Sequence, residues 1–251
     1  MSPRGAVAIA AAWAFVLLLA ACGGGSGSSP SPAVDSNSPC DRLTQAGKFR
    51  YTFSYSLVSP QPGPEAAKTP VTPSDFALQP TSPDFALSQQ MEGVVENPER
   101  VDLNVKTPDS PDLRLVFIDG EEWVNLGGAW TQRPPDPVPF PAPNVCSAVV
   151  SSLDLEAESP SQDTVNGVAA KLYQSDSAEA DIAARVWGAE SDMGRLVDTY
   201  AVKVWITEGG DPLRMEASGS GTYSGGREIS VELSLELSDI GDSGIKVERP
   251  A

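Results

Sequence analysis

From Glu228 to Ile240 the chain alternates without a break. Ile229, Val231, Leu233, Leu235 and Leu237 fall on one face; Ser230, Glu232, Ser234, Glu236 and Ser238 fall on the other. A period of two marks a strand with one buried and one wetted face. The same pattern begins at Phe49, where Phe49, Tyr51, Phe53, Tyr55 and Leu57 oppose Arg50, Thr52, Ser54 and Ser56. Further strands are predicted over Phe85–Glu96, over Arg100–Lys106 with Val101, Leu103 and Val105 in step, and over Leu113–Ile118. That last run, holding Leu115 and Phe117, is more densely apolar. Trp123–Leu126, Val165–Tyr173, Asp198–Thr207 and Leu213–Ser218 complete the pattern. Asn97-Pro98, Asp119-Gly120, Gly127-Gly128 and Gly209–Pro212 supply tight turns. Such short links make the predicted sheet antiparallel, with about nine or ten strands.

Helices are few. Ser38-Pro39-Cys40-Asp41 predicts a short helix with Ser38 as N-cap, ending near Gly47. Asn144 predicts the start of a second, running through Leu153 and carrying Cys146. Ser177–Gly188 predicts a third, with Ser177 as cap and acidic Glu179 and Asp181 at its N-terminal end. Two proline-rich loops, at 59–83 and 133–143, hold seven and six prolines and interrupt the strands.

The first 21 residues stand apart from the fold. Arg4 precedes an apolar run from Ala6 to Ala20, and Leu19-Ala20-Ala21-Cys22 follows. This resembles a bacterial lipoprotein signal peptide cut before Cys22. The run is shorter than the ~20 residues a spanning helix needs. The resemblance implies that the Cys22 thiol carries a diacylglyceryl group, with palmitate-like chains. One chain holds only marginally, at about 0.8 kcal/mol per buried methylene, so two or three are needed for a durable anchor. Residues 22–39, rich in Gly, Ser and Pro, then form a flexible tether, and 40–251 a single domain. The protein is thereby expected outside the cytoplasm, lipid-anchored to a bacterial cell membrane.

Composition narrows the chemistry. With 17 Lys and Arg against 34 Asp and Glu, the net charge of −17 repels phosphate backbones and argues against nucleic-acid binding. Beyond Cys22, only Cys40 and Cys146 remain, and in an oxidising compartment two leftover cysteines point to a disulfide, with free thiols as the alternative. Histidine is absent, which removes the commonest general base and zinc ligand. No Gly-x-Ser-x-Gly elbow with a histidine partner exists, so the reading is non-enzymatic. Ser218-Gly-Ser-Gly221 reads as a turn. Glu121-Glu122, and Asp109 with Asp112, lack calcium-hand spacing and read as solvated acidic turns. Asp163, Asp176 and Asp181 read as turn and cap residues. No metal or cofactor is called for.

The order of the pieces, with Asp119-Gly-Glu-Glu-Trp-Val-Asn-Leu-Gly-Gly-Ala-Trp130, Val165-Asn-Gly-Val-Ala-Ala-Lys-Leu-Tyr173 and Val202–Arg214, resembles the envelope lipoprotein group that includes LolA, LppX and LprG. The likeness runs over roughly 40–240 as a layout. It implies an α+β, mainly β fold: a curved antiparallel half-barrel with two or three helices packed on the concave face. It further implies an apolar cavity between them that carries acyl lipid or a lipoprotein. Phe49, Tyr51, Phe53, Tyr55, Val101, Leu103, Leu115, Phe117, Ile229, Val231, Leu233 and Leu235 are the candidate lining. The competing reading makes the same face plain core. The chain is then a scaffold with a self-filled half-barrel that meets envelope protein partners through its proline-rich loops. Trp123, Trp130 and Trp205 are expected to anchor the sheet ends.

Overall fold

The computed structural model describes residues 38–59, 85–108, 110–134, 141–156, 158–179, 182, 197, 199–223 and 227–250. The signal segment, Cys22, the tether up to Asn37, most of the loop at 59–83, residues 135–140, Asp109, Asp181 and residues 224–226 lie outside them.

The strands are β1 (Phe49–Ser59), β2 (Phe85–Asn97), β3 (Arg100–Lys106), β4 (Leu113–Ile118), β5 (Glu121–Leu126), β6 (Trp130–Arg133), β7 (Ser161–Val165), β8 (Val168–Glu179), β9 (Thr199–Ile206), β10 (Pro212–Tyr223) and β11 (Arg227–Ser238). They form one antiparallel sheet in the order β6-β5-β4-β3-β2-β1-β11-β10-β9-β8-β7. It is a curved half-barrel that does not close. Two meanders, β1–β6 and β7–β11, join where β1 pairs with β11 at the sheet's centre.

That central pairing sets the two patterned stretches side by side. Tyr51 lies opposite Leu237, Phe53 opposite Leu235, Tyr55 opposite Leu233 and Leu57 opposite Val231. Each pair is apolar and on the same face, so register is fixed: a slip of one residue would turn every one of them to water. The helices α1 (Pro39–Ala46) and α2 (Pro141–Val150) pack on this inner face, against β1 and β9–β11. The Cys40–Cys146 disulfide ties them together, with Cα atoms 5.7 Å apart.

The first helix is capped as the sequence predicts, with one difference. Ser38 occupies the N-cap in an extended conformation, but its hydroxyl makes no capping bond. Its carbonyl instead accepts from the Asp41 and Arg42 amides. Gly47 ends the helix at φ 67°, a left-handed conformation that costs glycine nothing, and its amide donates to the Leu43 carbonyl.

The second helix starts at Pro141 rather than Asn144, so Pro141–Pro143 belongs to it and not to the loop. Prolines are tolerated in the first turn because those N–H groups have no intrahelical partner anyway. The predicted third helix is corrected at its start. Ser177–Glu179 continue β8, with Ala178 opposite Tyr200 and a register shift between Ser175 and Ala178. Ile182 is helical and buried; the rest of that prediction lies outside the described residues.

Asn166 and Gly167, at φ 51° and 83°, are not inside a strand but form the two-residue turn of a β7–β8 hairpin. Both central residues have positive φ, the requirement of the turn that matches strand twist. Ser218–Gly221 is not a turn but the middle of β10, with Gly219 opposite Val231 and Gly221 opposite Ile229.

Gly93 on β2 is demanded by packing. It pairs with Tyr51, whose ring lies over it, and a Cβ there would sit 2.0 Å from a Tyr51 ring carbon. Gly93→Ala is therefore expected to lower stability by about 1–3 kcal/mol, the usual range for overpacking. Chemical denaturation checks it, and in a Tyr51→Ala background the same change should be nearly neutral.

Candidate functional site

The inner face gathers the predicted lining. Phe49, Tyr51, Phe53, Tyr55, Val101, Leu103, Leu115, Phe117, Ile229, Val231, Leu233 and Leu235 all belong to one continuous apolar cluster. None of the twelve is more than 6% exposed, so in this state the chain itself covers the face. The cover includes Leu43 of α1, Val145 and Val149 of α2, and Leu153 and Leu155 just beyond it. Burial pushes the Tyr51 hydroxyl pKa above its ordinary value; Tyr55 is raised by burial first and by neighbouring Tyr200 second. Tyr51 and Tyr55 thus stay neutral in the physiological range, which suits an apolar interior. On β10 the inner positions shrink from Met215 through Ala217 to Gly219 and Gly221, so the wall there carries no side chain.

Sequence reasoning missed a polar member of this face. Glu122 is not in a solvated turn: it sits in β5 opposite Phe117, wholly buried, and accepts a 2.6 Å bond from the Arg133 guanidinium of β6. The signal was in the strand period, since two residues on from Glu122 stands inward-facing Val124.

The outer face has its own organisation. The segment after β11 crosses it. Lys48 Nζ donates to the Ile245 carbonyl, the Val247 amide donates to Glu96 Oε2, and Arg249 pairs with Glu121 at 2.9 Å while lying over the Trp123 ring. The Val247 amide holds the Glu96 carboxyl below the usual carboxylate range. Val247 packs with Val116, Ile118, Val94, Trp123 and Trp130. This is why β4 is apolar on both faces. Asp163 is likewise not a turn residue: it lies in β7 and accepts from Trp205 Nε1 at 2.8 Å, a bond that holds its carboxyl low. Asp176 lies in β8, exposed, again in a strand rather than a turn. The tryptophans expected to anchor the sheet ends each lie beneath a guanidinium on the outer face: Trp130 under Arg114, Trp205 under Arg214 and Trp123 under Arg249.

Beside the crossing segment is an open groove of about 730 Å³, floored by outward-facing residues of β11 and β1–β5. Its lining includes the charged and polar side chains of Arg50, Thr52, Glu92, Asp102, Asn104, Arg114, Asn125 and Glu236. Among the described residues no group of three or more Asp, Glu, Cys or His side chains could hold a metal ion, and no helix is long and apolar enough to cross a membrane.

The sequence matches no family model and no curated protein. Among solved structures it is similar to a domain assigned to outer membrane lipoprotein sorting from Vibrio parahaemolyticus. The two are 7% identical over 78% of this chain and 87% of that one, with a TM-score of 0.22. It is also similar to the MucA/MucB complex of Pseudomonas aeruginosa, at 14% identity and a TM-score of 0.27, over 85% of this chain and 63% of that one. Superpositions this loose support no detail of site or function.

Proposed function

We propose that the chain is an extracytoplasmic lipoprotein, anchored through Cys22, that takes an acyl chain between the inner face of its half-barrel and helices α1 and α2. The observation that carries the reading is the inner face itself. It runs apolar from β4 through β11, and at Gly219 and Gly221 it has bare backbone beside Val231 and Ile229. An acyl chain needs apolar surface and little else; each methylene moved out of water contributes about 0.8 kcal/mol. The disulfide makes α1 and α2 a single cover, so uptake would shift them together.

A second reading has its own support. The near-complete burial of the twelve lining residues suits a self-filled scaffold that binds protein partners. One experiment separates the two. Native mass spectrometry of protein purified from a membrane fraction is expected to show a co-purifying acyl lipid. Fluorescent fatty-acyl probes should then exchange into delipidated protein. An empty protein that takes up no probe leaves the scaffold.

A further inference from the structure

The outer face offers a second site, opposite the acyl surface and independent of it. The groove there runs across the strands, from Glu236 on β11 to Asn125 on β5. The segment 245–250 lies parallel to it, and the two share Val94, which both lines the groove and packs with Val247. That segment shows what this face accommodates. It is extended: Ile245 and Val247 are buried while Lys246 and Glu248 are exposed. Among the described residues, side chains of the sheet and its flank hold it, through Lys48, Glu96 and Glu121, and not a strand ladder. Its one arginine is received by a carboxylate and an indole.

The track beside it has a surplus of negative charge. Four carboxylates line it, Glu92, Asp102, Asp112 and Glu236, against two guanidiniums, Arg50 and Arg114. Arg114 is spent on Asp102 in a two-bonded pair, Arg50 on flanking Asp239, and flanking Lys106 on Glu92. The surplus therefore rests on Asp112 and Glu236, toward opposite ends of the track. Such complementarity favours cationic partners and rejects anionic ones. We infer that the groove docks an extended, basic peptide segment of a partner protein, laid across the strands alongside residues 245–250.

Fluorescence anisotropy with the full chain tests this, using a short fluorescein-labelled peptide of alternating lysine and valine. Binding should weaken as salt is raised and should fail for the lysine-acetylated peptide. Asp112→Lys combined with Glu236→Lys should weaken it by about tenfold or more. Glu156→Lys with Glu208→Lys makes the same charge change away from the groove and should alter affinity by less than about twofold. Hydrogen exchange should place the peptide on 102–114 and 125–128. Equal losses in both double variants would mean attraction to an acidic protein at large and would overturn the inference. So would no binding to the unaltered chain, or equal binding of the acetylated peptide. All four substituted positions are at the surface or half-buried, and circular dichroism checks that the variants fold.

Discussion

Leu235→Asp should leave the chain without a stable fold. Leu235 is wholly buried, paired with Phe53 on one side and Met215 on the other, at the centre of the sheet. Removing a buried leucine costs about 3–5 kcal/mol in lost packing alone. The carboxylate adds a desolvation cost of several kcal/mol, since Leu235 sits within the apolar cluster of the inner face. Against a total stability of about 5–15 kcal/mol, the sum reaches most or all of the fold. Ser230→Asp, on the same strand but facing water, should change stability by no more than about 0.5 kcal/mol. Denaturation midpoints of the two variants read the facing of β11 directly. Leu235→Asp melting like the parent would mean that the inner and outer faces are exchanged.

The second large effect is loss of the disulfide. Cys40 and Cys146 are separated by 106 residues. Closing a loop of that size restricts the unfolded chain by about 4–5 kcal/mol in the entropy model, and usually by less in practice. Cys146→Ala is therefore expected to lower stability by about 2–5 kcal/mol. The change also cuts the tether between α1 and α2, so the amides of Leu43 and Val149 should exchange faster. Denatured, unreduced protein should show no titratable thiol at either position; two would remove the bond and with it the idea of a single helical cover.

Much of this architecture was written in the period of the sequence. Arg100–Lys106 and Leu113–Ile118 begin and end where alternation and the Asp119-Gly120 turn place them. The misses have physical causes. Ser161–Val165 is an edge strand exposed at four of its five positions, so it shows no alternation to read. Ser177, Glu179 and Asp181 imitate a helix cap; the shift between Ser175 and Ala178 breaks the period just where the strand carries on. Ser218–Gly221 looks like turn chemistry because neither glycine brings a side chain to the inner face. Glu122 was hidden because one residue type serves surface and buried pair alike, and its partner Arg133 lies on another strand. The inner face was legible as a surface, whereas what covers it depends on how helices and sheet share the same volume. The outer groove left no pattern at all, since it is assembled from one to three positions on each of six strands and from the loops beside them.

The seam between β1 and β11 has a bearing on biogenesis. The strand that completes the middle of the sheet is synthesised after the other ten described strands. Until then the aromatic row of β1 has no permanent neighbour on one side, and contacts so distant along the chain form slowly. A polypeptide in that condition requires protection from self-association before its two ribbons find each other.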